Sequence, residues 1–242
     1  MRVAVVTDIH ANLPALEAVV TAIEAEETEE LWCLGDLVGY GAQPDDCVTL
    51  IRDSAAVCLA GNHDLVVGGA IDMSVFAADA GAAARWTVET IRPETLQYLL
   101  TLSPSGQREG VELYHASIRD PVWEYVIDER TATSCLELQS SPLALIGHSH
   151  VPLVWGYVGG RFVGGMAPGD TMLELGEGPF LLNPGSVGQP RDGDPRAAFL
   201  ILDTGTGTAT WRRVEYDIAR AQAAIAEAGL PLRLAGRLAE GR

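Results

Sequence analysis

The sequence predicts an α/β fold whose N-terminal half is built on parallel strands, and three observations predict it. Over the first 65 residues, short apolar runs alternate with amphipathic segments in a βαβαβ order. Strand-like runs separated by a helix-like stretch return between residues 111 and 147. Finally, five apolar runs each end in a residue of metal-ligand type. Val3–Val6 precedes Asp8 and His10, and Leu31–Leu34 precedes Gly35-Asp36. Val57–Ala60 precedes Asn62 and His63, Val111–Tyr114 precedes His115, and Leu143–Ile146 precedes His148 and His150. The C-terminal edge of such a sheet is where ligands bind, and all five histidines of the chain gather there.

Residues 2–7 read as the first strand. Asn12 then opens a helix with Pro14 in its first turn and Leu16, Val19, Val20 and Ile23 along one face. Asn12 either caps that helix or faces the site. A strand at 31–34, a helix from Pro44 to Arg52 and a strand at 56–60 complete the unit. Val75–Ile91 is Ala-rich and helical, and Pro93–Leu102 is a second helix. We expect residues 65–110 to form a helical, lid-like segment. Strands follow at 111–115 and 143–147, with a helix near 130–139. From 151 to 217, Gly-rich turns separate short strands, and Ala197–Leu202 with Ala209–Tyr216 forms a hairpin. An amphipathic helix spans Ile218–Gly229. No repeat or low-complexity linker divides the chain, so one domain over 1–242 is expected.

Composition narrows the function classes. The chain is 48% hydrophobic without an apolar run long enough for a membrane span. The apolar stretch after Met1-Arg2 is too short for a signal peptide, which gives a cytoplasmic expectation. The four cysteines, Cys33, Cys47, Cys58 and Cys135, form no C-x-x-C pair and read as reduced core residues. The net charge is −17, and all 16 basic residues are arginine. That balance weighs against nucleic acid and membrane partners but leaves room for a small phosphorylated substrate in a cationic pocket. It leaves a homo-oligomer open.

Asp8 and His10 are two residues apart, as are His148 and His150. In extended backbone both members of such a pair point to one face. The Asp, His and Asn donors suit Mn, Fe, Zn, Co or Ni. Such a set exceeds one tetrahedral zinc and matches two metals sharing a carboxylate. Two divalent ions against Asp8 and Asp36 leave a centre of about +2, an anion trap within an anionic protein.

The ordered series Asp8-x-His10, Gly35-Asp36-x-x-Gly39, Gly61-Asn62-His63-Asp64, His115 and Gly147-His148-Ser149-His150 resembles the calcineurin-like metallophosphoesterases. The stretches Asn183–Arg191 and His115–Pro121 resemble the small bacterial branch with the YfcE-type phosphodiesterases. Many family members have Gly directly after the third-block histidine, where this chain has Ala116. The resemblance implies a four-layer α/β/β/α sandwich with mixed sheets and a dinuclear metal centre. It implies phosphodiesterase or phosphatase activity on a small phosphorylated substrate by a metal-bound hydroxide. Carried over, Asp8, His10 and His150 hold one metal, and Asn62, His115 and His148 hold the other. Asp36 bridges them. His63 is the catalytic group at the phosphoryl or leaving-group oxygen, oriented by Asp64.

Arg119 and Arg191 each either reach a substrate phosphate or pair at the surface with Asp120 or Asp192. Specificity is expected in 65–110, 117–140 and 151–180. Histidine protonation predicts activity falling below about pH 6. Two other readings stay open: a protein-interaction scaffold on the same fold, and a nuclease.

Overall fold

A computed structural model describes residues 1–242. Its N-terminal half follows the βαβαβ expectation. β1 (Arg2–Val6), β2 (Glu30–Cys33) and β3 (Ala55–Cys58) are parallel neighbours, linked by α1 (Leu13–Glu24) and α2 (Pro44–Ser54). Asn12 caps α1, its Oδ1 accepting from Ala15 N at 3.3 Å, which settles its role as structural. α3 (Asn62–Val67) starts directly at the third motif, a helix that the sequence reading did not separate from it.

Residues 65–110 are largely helical. A short 3₁₀ turn at Met73–Val75 leads into α4 (Ala78–Thr90) and α5 (Pro93–Leu99). β4 (Ser105–Arg108) then pairs antiparallel with β5 (Val111–Tyr114). After α6 (Glu129–Leu138) come β6 (Leu143–Leu145), β7 (Pro152–Val158), β8 (Arg161–Met166), β9 (Met172–Glu174) and β10 (Phe180–Pro184). The expected hairpin is β11 (Ala197–Asp203) with β12 (Thr208–Val214). Two helices, α7 (Ile218–Glu227) and α8 (Leu232–Glu240), end the chain.

The strands form two mixed sheets, as the resemblance implies. The first runs β3-β2-β1-β11-β12-β9 and the second β4-β5-β6-β10-β7-β8. Period-2 alternation assigns each side chain to a layer. Val3 and Val5 of the first sheet join Trp32, Leu200 and Trp211 against Leu113, Leu145 and Leu182 of the second, forming the core between the sheets. Ala4 and Val6 point the other way, onto Leu16 and Val19 of α1 and Val48 and Ile51 of α2. Ala144, Ile146 and Leu181 on the outer face of the second sheet meet Ala132, Cys135 and Leu136 of α6. The result is the expected α/β/β/α sandwich. Both sheets end β1, β2, β3, β5 and β6 at a common edge, which gathers all five motifs.

All four cysteines are free; Cys33, Cys47 and Cys135 are buried. No helix is long and apolar enough to cross a membrane.

Candidate metal centre

The loops beyond the strand ends are laced together through backbone hydrogen bonds. Asp8 N donates to Gly35 O at 3.0 Å, His10 N to Asp36 O at 2.9 Å, and Gly147 N to His115 O at 2.7 Å. These bonds bring Asp8, His10, Asp36, Asn62, His63, His115, His148 and His150 together, each buried.

The pairs converge differently from the extended geometry expected. β1 ends at Val6, and Asp8 and His10 have φ of 53° and 50°. Asp36, His148 and His150 are likewise left-handed, with φ of 53°, 63° and 59°. Non-glycine residues hold this conformation at a cost of about 1–3 kcal/mol each. The hydrogen-bonded loops fix it, so the convergence of these side chains comes from left-handed loop backbone past the strand ends and not from strand alternation.

Two groups of donor atoms result. Asp8, His10, Asp36 and His150 form one, and Asp36, His115 and His148 the other, with ligand atoms in each group within 4.8 Å of one another. Asp36 belongs to both. Its Oδ2 lies 3.5 Å from His10 Nε2 and 3.6 Å from His115 Nε2. Asn62 Oδ1 adds to the second group, 3.3 Å from His115 Nε2.

Backbone carbonyls set the tautomers. Nδ1 of His10 faces Val38 O at 3.1 Å, Nδ1 of His115 faces Leu34 O at 2.9 Å, and Nδ1 of His150 faces Gln189 O at 2.6 Å. With Nδ1 donating outward, each Nε2 is left as an inward lone pair, the form a metal ligand needs. The Asn183–Arg191 stretch supplies this support: Asn183 Nδ2 donates to Gly147 O at 2.7 Å and Ser149 Oγ at 3.0 Å. The carbonyl roles of Leu34, Val38 and Gln189 are not legible in the sequence because backbone groups carry no residue signature.

The site fits cations. Asp8 Oδ1 and His148 Nε2 are buried without a hydrogen-bond partner, a costly arrangement unless something else satisfies them. Burial lifts the Asp8 carboxyl to about 7 and pushes Asp36 well above its ordinary value, the latter helped by neighbouring Asp64. Burial also pushes His10, His148 and His150 down, so they stay neutral. Carboxylates that resist ionising and imidazoles that resist protonation form a ligand set short of positive charge.

His63 stands apart from both groups. Phe76 stacks on its ring at 4.4 Å, Tyr40 lies at 4.4 Å, and Gly39 backs it so closely that a Cβ there would strike Nδ1. Burial and Arg191 lower its pKa to about 3. Asp64 does not touch this imidazole, contrary to the expected orienting role. Its oxygens accept from Leu37 N at 3.0 Å, Val38 N at 3.1 Å and Gly61 N at 2.9 Å. The carboxylate braces the second motif against the third. Gly61 is required beside it, since a Cβ would collide with Asp36 Oδ1.

The two candidate arginines part. Arg191 lines the cleft above Asp36, His63 and His150, a cavity of about 140 Å³. Its Nη2 donates to Gln189 Oε1 at 3.0 Å, and its Nε is buried without a partner. Asp192 pairs with Arg213 instead. Arg119 lies outside the cleft lining and pairs with Glu124 at 2.9 Å, not with Asp120. Of the three segments expected to set specificity, 65–110 and 117–140 border the cleft, whereas 151–180 supplies none of its lining.

A family model, the calcineurin-like phosphoesterase superfamily domain, matches residues 1–207. The chain belongs to the calcineurin-like phosphoesterase superfamily. A curated relative, an uncharacterised protein of Methanocaldococcus jannaschii, is 37% identical over 99% of this chain and 98% of its own length. The crystal structure of a metallophosphoesterase from Sphaerobacter thermophilus superposes with a TM-score of 0.90 at 38% identity, covering 100% of both chains. A hypothetical protein of Pyrococcus horikoshii gives 0.80 at 20% identity, over 100% of this chain and 98% of that one, which bears on the fold alone. The superfamily and its buried Asp/His cluster make this calcineurin-like phosphoesterase a metal-dependent hydrolase of phosphoester bonds.

Proposed function

We propose that the protein hydrolyses a small phosphorylated substrate at a centre of two divalent transition-metal ions. The observation that carries this reading is the position of Asp36 Oδ2, within 3.6 Å of a histidine from each ligand group. Asp8, His10 and His150 would hold one ion, Asn62, His115 and His148 the other, and Asp36 both. These oxygen and nitrogen donors suit Mn, Fe, Zn, Co or Ni, and manganese is the first to try. Bound there, the ions would supply Lewis acidity, neutralise phosphoryl oxygens and make water nucleophilic near neutral pH.

The chain's own groups do the rest. His63 donates an imidazole N–H to the phosphoryl or leaving-group oxygen, held by Phe76, Tyr40 and Gly39. A substrate phosphate beside it raises the depressed pKa and favours the protonated ring. Arg191 offers its guanidinium to a phosphate oxygen, and the Arg213–Asp192 pair leaves it uncommitted to that acid. Phosphodiesters and phosphomonoesters both fit this chemistry. The net charge of −17 argues against a nuclease, and a scaffold has no use for a complete ligand set. The free cysteines suit the reducing cytoplasm.

The test is hydrolysis of p-nitrophenyl phosphate and bis-p-nitrophenyl phosphate by protein loaded with each of the five metals. Turnover of either supports the proposal. No turnover of either ester with any metal refutes it, and tight protein-partner binding without turnover favours the scaffold.

A further inference from the structure

The cleft has two chemically distinct walls. Its floor is polar, with His63, His148 and Arg191; its rim is aromatic, with Phe76, Trp123 and Tyr125. The rim comes from two separate segments. Phe76 follows the 3₁₀ turn before α4, and Trp123 and Tyr125 lie on the loop between β5 and α6. Trp123 is 37% exposed and Tyr125 46% exposed, in a chain with only 6% aromatic residues. Three aromatic rings around one opening, two of them exposed, mark a binding surface more than a packing need.

The rings are placed over the reacting groups. Phe76 stacks on His63 at 4.4 Å and 29°, and Tyr125 stacks on His148 at 4.2 Å and 19°. Trp123 sits edge-on to Phe76 at 6.2 Å. The loop that carries Trp123 and Tyr125 is rigid by construction. Asp120 Oδ1 accepts from Val122 N at 3.0 Å and Trp123 N at 3.1 Å. Glu124, between the two rings in sequence, accepts from Ser117 Oγ at 2.6 Å and pairs with Arg119. Val126 is buried against α6 and the second sheet, which turns its neighbour Tyr125 outward. A preformed loop keeps the entropic cost of binding low.

A phosphoester with its phosphoryl group on the floor has to lay its organic group against this rim. We propose that Phe76, Trp123 and Tyr125 select phosphoesters that carry a planar aromatic group, either a nucleobase or a simple aryl ring, over sugar and alkyl esters. The inference rests on the phosphoesterase reading above and adds a substrate class to it. Stacking on aromatic side chains tolerates any ring with a π-face, so the rim selects for planarity rather than for one base.

The test uses two ligand pairs on metal-loaded protein: AMP against ribose 5-phosphate, and phenyl phosphate against butyl phosphate. Binding is read by quenching of tryptophan fluorescence and by competition against bis-p-nitrophenyl phosphate turnover. The aromatic member of at least one pair should bind about ten-fold tighter. Preference within the AMP pair assigns a nucleobase; preference within the phenyl pair alone assigns a simple aryl group. Trp123→Ala should bring the members of the preferred pair together, and Trp123→Leu should give an intermediate ratio. Equal affinities within both pairs, or a preference that survives Trp123→Ala, overturn the proposal. Turnover without discrimination sinks the rim alone. Discrimination by fluorescence without any turnover sinks the phosphoesterase reading instead.

Discussion

Replacing Asp64 tests how the fold holds the site together. Asp64 is 2% exposed, and its carboxylate accepts three buried backbone N–H groups, from Leu37, Val38 and Gly61, at 2.9–3.1 Å. Asp64→Ala removes all three bonds and leaves three buried donors. Each unsatisfied donor costs about 1–3 kcal/mol, and water entering the vacated space restores part of the loss. A net destabilisation of about 4 kcal/mol follows, a large share of the 5–15 kcal/mol typical of a folded protein. At roughly 2–4 °C per kcal/mol for a chain of this size, the melting temperature falls by about 8–16 °C. Asp64→Asn keeps the shape and one acceptor, so its loss should be smaller. Urea unfolding and calorimetry at neutral pH measure both variants. A loss below about 1 kcal/mol for Asp64→Ala, or an Asn variant less stable than the Ala one, would refute the bracing role.

Three further predictions concern chemistry. His63→Ala should keep its metal content, since His63 belongs to neither ligand group, yet lose about 10²–10⁴-fold in kcat. Metal analysis beside steady-state kinetics checks this, and normal turnover removes His63 from the reaction. Arg191→Ala should lower kcat/KM about ten-fold with unchanged metal content; an unchanged kcat/KM would place Arg191 outside phosphate binding. The pH dependence should follow the carboxylates. The Asp8 carboxyl sits at about 7 in the folded protein against 3.8 in the open chain. Its folded value is the higher, so in metal-free protein its stabilising share is full below about 3.8 and is lost as pH rises through about 7. Cations bind the ionised form, so the gap in melting temperature between metal-loaded and metal-free protein should widen across that window. A gap that narrows with rising pH contradicts this. Histidine protonation below about pH 6 is displaced as the cause of acid sensitivity, because burial keeps His10, His148 and His150 neutral well into acid.

What the sequence revealed follows from where the information lies. β1, β2 and β3 and their helices were legible because apolar period 2 and period 3.6 are local signals. The two-sheet division was not readable from periodicity, since it depends on pairings such as Val3 with Leu202. β4 is not legible because Ser105–Arg108 has no apolar alternation, whereas α8 does carry a signal, Leu234, Ala235 and Leu238 along one face behind Pro231. The ligand residues were legible because their side chains carry the chemistry. Their left-handed backbone was not, because Asp8, His10 and His148 have Cβ atoms and would default to ordinary regions without the surrounding hydrogen bonds. Asp64 is legible as a supporting residue but its partners are not, since backbone donors 26 and 27 residues away leave no sequence trace. The aromatic rim was invisible because Phe76 and Trp123 meet only through the fold.

The central claim is a two-ion centre shared by Asp36. Anomalous diffraction from crystals of the manganese-loaded protein tests it most directly. Two peaks on either side of the Asp36 carboxylate are predicted, one against Asp8, His10 and His150 and the other against Asn62, His115 and His148. A single peak at full manganese occupancy, or two peaks that do not share Asp36, would contradict it.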